Sequence, residues 1–124
     1  MQEKSTPLIK QFVGLIKLKS FEDSESAIEA VAQTIISNLN LNLVEKFIHN
    51  FQPGGSTTIF VLSQSHLVIH TWPEYNTVHI DLVACVEKEE GEFKNALESA
   101  FDKYNPTSIK VKSIEFDSEI IETV

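Results

Sequence analysis

The sequence predicts one α+β domain over residues 1–124, an antiparallel sheet with two helices packed on one of its faces. Three observations carry that expectation. Residues 77–85 alternate cleanly, with Val78, Ile80, Leu82 and Ala84 facing one way and Thr77, His79, Asp81, Val83 and Cys85 the other. Two segments, 24–39 and 89–104, repeat apolar residues at three- and four-residue spacing. Between them Gln52-Pro53-Gly54-Gly55 is a strong turn signal joining two strand-like runs.

The elements follow in chain order. Residues 8–18 have strand character, with Phe12, Ile16 and Leu18 in one alternation and Val13 and Leu15 in the other. Asp23 or Ser24 caps a helix over 24–39, whose apolar face is Ile28, Val31, Ile35 and Leu39. Strands over 43–51 and 56–63 flank the turn. His66 to His70 is a short further strand that Trp72-Pro73-Glu74 breaks, because proline donates no ladder hydrogen bond. A second helix over 89–104 presents Phe93, Ala96, Leu97, Ala100, Phe101 and Tyr104 as one stripe, with Pro106 just past its end. Residues 108–116 form a last strand. The order is β-α-β-β-(β)-β-α-β. Several strands carry apolar residues in both alternations, so the face away from the helices wants a second sheet. That predicts a homodimer, packed as an α/β/β/α sandwich.

Composition narrows the function classes. The chain has 42% hydrophobic and 23% charged residues, as an ordinary globular domain does. Its formal charge of −8 argues against nucleic-acid binding, which needs clustered Lys and Arg. Acidity suits a cationic substrate, though only weakly. The single cysteine, Cys85, forbids an intramolecular disulfide. No apolar run approaches the ~18 residues of a membrane span, and the first residues lack a signal-peptide pattern. A cytoplasmic protein is the simplest expectation.

Taken alone, the polar residues of 57–85 point nowhere specific. Cys85 with His70 or His79 is a conceivable nucleophile–base pair, but no local signature supports it, and a lone cysteine more often packs as a small hydrophobe. His66 and His70 share a strand face about 13 Å apart, too far for one metal ion, so no metal is expected. Gly54-Gly55-Ser56 lacks the length and lysine of a phosphate loop. Trp72 and Phe51 read by default as core residues.

The run Ser65-His66-Leu67-Val68-Ile69-His70-Thr71-Trp72-Pro73-Glu74-Tyr75 is more telling, because it closely resembles the self-cleavage segment of prokaryotic S-adenosylmethionine decarboxylases. The resemblance is strong over residues 47–85 and extends elsewhere in size and element order. It implies cleavage between Gln64 and Ser65, with the serine hydroxyl attacking the Gln64 carbonyl and β-elimination leaving a pyruvoyl cofactor derived from Ser65. His70 matches the family's processing histidine. Thr57 stands where the family has the serine that supports the acyl shift. Cys85 matches the cysteine that reprotonates the substrate α-carbon. Phe51 matches the aromatic that stacks on adenine, and Glu74 the carboxylate that holds the ribose hydroxyls. The implied reaction is decarboxylation of S-adenosylmethionine, held as a Schiff base on the pyruvoyl ketone, for spermidine synthesis. The family builds its sites between protomers.

The chain also departs from the pattern. Gln64 replaces a glutamate, Val83-Ala84-Cys85-Val86 a Phe-Thr-Cys-Gly pattern, and Asn76-Thr77-Val78-His79 a glycine- and alanine-rich turn. Gly14-Leu15-Ile16 stands where the family usually has glycine followed by a histidine-containing strand. The same chemistry on arginine or ornithine, and a non-processing regulatory paralogue, are the two competing expectations.

Overall fold

Alternation decides which side of each strand is buried, and here it works across four neighbouring strands. A computed structural model describes residues 2–5, 9–85, 87–116 and 120–123, with side chains over 9–85 and 87–116. Leu8, which opens the expected first strand, and Val86 lie outside the described residues. Strand β1 spans Gln2–Ser5, β2 Ile9–Leu18, β3 Leu43–Asn50, β4 Ser56–Leu62, β5 Ser65–Trp72, β6 Thr77–Ala84, β7 Pro106–Phe116 and β8 Ile120–Thr123. The helices are α1, Glu25–Asn38, and α2, Glu90–Phe101.

Six strands form one antiparallel sheet in the order β3-β4-β5-β6-β2-β7. The expected order of elements holds. β5 is longer than the expected His66–His70, because proline enters only at Pro73, where a single 3-10 turn over Pro73–Tyr75 ends the strand. A separate two-stranded ribbon pairs β1 with β8, Gln2 opposite Thr123. No apolar alternation announces β1, whose residues are Gln-Glu-Lys-Ser.

Both helices cover the same face. Phe12 and Ile16 of β2, Phe60 of β4, Leu67 and Ile69 of β5 and Ile80 and Leu82 of β6 are fully buried there with Ile35 of α1 and Phe93 and Leu97 of α2. Phe12 stacks on Phe93 at 5.3 Å between ring centroids. Gly14 sits in the middle of β2 because a Cβ there would lie 2.5 Å from Leu97 Cδ1. Ser24 caps α1, its Oγ accepting the Ala27 N–H at 3.1 Å. Lys46 of edge strand β3 pairs with Glu25 at 3.5 Å and Glu29 at 3.0 Å, holding that edge to α1.

The opposite face of the sheet carries no helix. Phe47, Leu15, Ile59 and Ile114 lie on it and are 53%, 40%, 39% and 50% exposed. Bare apolar side chains in such number on one face mark an interaction surface.

Candidate active site

The β4–β5 ladder positions most of the site. Thr57 lies directly opposite His70, both on the bare face, and Thr57 Oγ1 is 2.8 Å from His70 Nδ1. A hydrogen bond on Nδ1 fixes the ring and leaves Nε2 free for proton chemistry. Burial pushes the His70 imidazole below its ordinary value, His79 pushes it the same way, and Asp81 opposes them. His70 is therefore held toward its neutral, proton-accepting form.

A cleft of 460 Å³ opens beside this pair, lined by Phe51, Gly55, Thr57, His70, Trp72 and Glu74 among others. The volume is that of a small-molecule site. Phe51 and Trp72, which read as core residues by default, are instead 49% and 41% exposed. They flank an opening at the end of the sheet, where the chain leaves β3 and β5. Phe51 meets His49 edge-on at 4.6 Å.

Asp23 buttresses the cleft from behind, a role that sequence reading missed. Its carboxylate accepts the Thr71 hydroxyl at 2.7 Å and the Gly55 N–H at 3.2 Å. Thr71 Oγ1 in turn accepts the Ser56 N–H at 2.9 Å. These contacts pin the turn after Phe51 to the end of β5. Asp23 adjoins the α1 cap, which made capping its expected task, and no local pattern points 48 residues along the chain to Thr71.

Ser65 is not in this cleft. It opens β5 opposite Leu62, while His70 lies five residues further along. At about 3.3 Å per residue the separation is about 16 Å. Ser65 follows a two-residue connection, Ser63 and Gln64, and its Oγ donates to Ser63 O at 3.3 Å. Gln64 has φ 59, a left-handed conformation. The other non-glycine residues with positive φ among those described are the asparagines 40, 76 and 105. Asparagine tolerates that region, whereas a long side chain there is strained.

Cys85 lies just past β6, half-buried and in no disulfide. His66 faces Val83 across the β5–β6 ladder, so Cys85 and Ser65 belong to the same end of that strand pair. His79 is six residues before Cys85, about 20 Å away along the strand. A Cys85 thiol activated by His70 or His79 of its own chain is thereby excluded. The fold thus gathers the expected site residues into two groups, Thr57, His70, Phe51 and Glu74 at one end of the sheet and Gln64, Ser65 and Cys85 at the other.

Comparisons with known proteins converge. The profile of the family described as S-adenosylmethionine decarboxylase matches residues 17–117. The chain is 31% identical over 101 residues to the S-adenosylmethionine decarboxylase proenzyme of Picrophilus torridus, covering 82% of this chain and 76% of that protein. Identity is 33% over 88 residues with the proenzyme of the same name from Archaeoglobus fulgidus, 69% and 75% of the two chains. Among solved structures, the adenosylmethionine decarboxylase of Aquifex aeolicus superposes with a TM-score of 0.66 over 88% of this chain and 89% of that one, at 23% identity. That last likeness is one of fold. Among the described residues no helix is long and apolar enough to cross a membrane.

Proposed function

The chain belongs to the S-adenosylmethionine decarboxylase family, and from that premise we propose that it is a self-processing, pyruvoyl-dependent decarboxylase of S-adenosylmethionine serving spermidine synthesis. The observation that carries this reading is the Thr57–His70 hydrogen bond beside an aromatic-walled cleft. A neutral imidazole oriented by a hydroxyl is what removal of an α-proton needs.

The processing step uses the chain's own atoms. Ser65 Oγ adds to the Gln64 carbonyl, the C–N bond breaks, and an ester replaces the amide. The strained conformation of Gln64 favours that rearrangement, since it raises the energy of the intact bond. Thr57 Oγ1 is the hydroxyl that stabilises the tetrahedral intermediate. His70 then takes the Ser65 α-proton and the Cβ–O bond breaks, releasing residues 1–64 with a free carboxylate. The dehydroalanine left on residue 65 gains water and loses ammonia to become a pyruvoyl group. Ser65 fits this fate, because its hydroxyl is tied only to a long contact on a hairpin rather than locked in the core. Once formed, the pyruvoyl group supplies the electron sink for loss of carbon dioxide. Cys85, at the same end of the sheet, carries the proton that the product α-carbon requires. Phe51 offers a face for adenine, and Glu74 accepts hydrogen bonds from ribose hydroxyls.

Ser65 and His70 of one chain are too far apart to react, so the same reading requires two copies. Packing two bare faces about a two-fold axis brings the Ser65 end of one protomer to the partner's His70. It also covers Phe47, Leu15, Ile59 and Ile114. A cytoplasmic setting suits the catalytic thiol, which must stay reduced.

Intact-mass measurement of purified protein tests the proposal. The expected result is two fragments, 1–64 and 65–124, in place of the 14.0 kDa chain, with the second blocked to Edman chemistry and Ser65→Ala uncleaved. A full-length mass that persists through long incubation overturns it. Carbon dioxide release measured in parallel from S-adenosylmethionine, arginine and ornithine fixes the substrate, and turnover of the amino acids alone would replace S-adenosylmethionine.

A further inference from the structure

His79 has no part in the chemistry above, yet the sheet sets it against the processing base. It lies directly opposite His70 in the β5–β6 ladder, on the same bare face. The ring centroids are 5.7 Å apart and the planes 41° from parallel. Trp72 closes the cluster, 5.9 Å from the His70 ring and 6.5 Å from His79, which it meets edge-on. Cross-strand side chains at this separation interact directly.

The other groups facing His70 are few. β4 contributes Thr57 but no titratable side chain. β3 contributes His49, opposite Thr57. β5 itself adds His66. Next to His79 on β6 stands Asp81, its carboxylate held at 2.9 Å by Gln11 Nε2 of β2. Lys17 of β2 lies opposite Thr77. Lys110 and Lys112 of β7 lie opposite Leu15 and Val13, on the far side of β2. Glu74 lines the cleft. Of all these, only His79 is paired with His70 ring to ring in the ladder.

We propose that His79 is a positioning residue for the processing base: seated across the ladder, it fixes the His70 ring against Thr57 and holds it in the proton-accepting state. This rests on the self-cleavage reading, but it concerns a property of His70 that exists whether or not the chain cleaves. The physical basis is mutual repulsion. Two imidazolium ions this close disfavour double charging, so a charge on His79 opposes a charge on His70. Burial and His79 both act to lower the His70 value, while Asp81 acts to raise it. Removing His79 leaves the opposing Asp81 in place, so the His70 value must rise. The acid limb of the cleavage rate then moves to higher pH, because less of the base is neutral at a given pH.

The test reads His70 directly. The uncleavable Ser65→Ala chain is titrated by NMR on its histidine ring signals, alone and combined with His79→Ala, His79→Gln or His79→Lys. The expected His70 midpoint rises with Ala and Gln and falls with Lys, which carries a fixed charge. Glutamine matters because it restores bulk and polarity, so a purely structural role predicts wild-type behaviour for it. If His79→Ala fails to fold, Gln and Lys still give opposite signs. A His70 midpoint that stays put in Gln and Lys, or moves the same way in both, overturns the proposal. In chains that retain Ser65, the acid limb of cleavage should shift by the same amount as the midpoint, and an unshifted limb also overturns it. A chain that never cleaves speaks against self-processing and leaves the NMR comparison to decide the role of His79.

Discussion

Two residues show how the same fold treats a useful polar group and an idle one. Cys85 sits at the Ser65 end of the strand pair, half-buried and in no disulfide. Cys85→Ala should therefore leave cleavage intact while turnover falls by about 10² to 10⁴, the usual worth of a general acid. It should also inactivate faster, since the product carbon has lost its proton source. Fragment masses and progress curves measure both, and wild-type turnover would remove Cys85 from the mechanism. Thr58, by contrast, points into the core, and its hydroxyl has no hydrogen-bond partner among the described residues. An unsatisfied buried hydroxyl costs about 1–3 kcal/mol. Thr58→Val keeps the shape and removes the orphan, so the urea midpoint should rise by the equivalent of about 1 kcal/mol with activity unchanged. At this scale the sequence was informative about identity and poor about place. The run from Ser65 to Tyr75 carries the family resemblance. The exposure of Phe51 and Trp72, and the reach of Asp23 to Thr71, depend on which chain ends meet, and no local spacing encodes that.

The strands were legible because one side of each is buried, and burial writes itself as alternation. Ile80, Leu82 and Ala84 are wholly enclosed while His79, Asp81 and Val83 are not. The helices were legible for the same reason at their own period, and Ser24 marks the start of α1 by its hydrogen bond to Ala27. In the β1–β8 ribbon, β1 was not legible, since four polar residues give no period to read. Turns are more exacting than strands. Gly55 has φ 90, its N–H is held by Asp23, and its carbonyl accepts the Phe51 N–H at 2.9 Å. A Cβ there would lie 2.9 Å from the Thr71 carbonyl oxygen. Gly55→Ala should lose about 1–3 kcal/mol through backbone strain. It should also raise KM for S-adenosylmethionine more than it lowers kcat, because the turn carries Phe51 rather than the proton-transfer groups. A denaturation midpoint equal to wild type would show that the turn relaxes without strain.

At the level of the whole molecule, the two groups of expected site residues at opposite ends of the sheet make a complementation experiment decisive. A Ser65→Ala chain retains the Thr57–His70 pair, and a His70→Ala chain retains the cleavable bond. Neither should process alone. Mixed and allowed to exchange, the His70→Ala chain should cleave and the Ser65→Ala chain should not, as mass spectrometry would report. Cleavage of a lone His70→Ala chain would show that another base suffices. The separation of about 16 Å along β5 has a further meaning for newly made protein. On the proposed reading a solitary chain holds a scissile bond and a base that cannot meet, so maturation should be second order in concentration while protomers are dilute. Doubling the amount of fresh precursor should quadruple the initial rate of cleavage until every chain is paired, after which the rate becomes simply proportional. A precursor that matures this way would act as a census of its own abundance, silent when scarce and committed irreversibly once two copies have met.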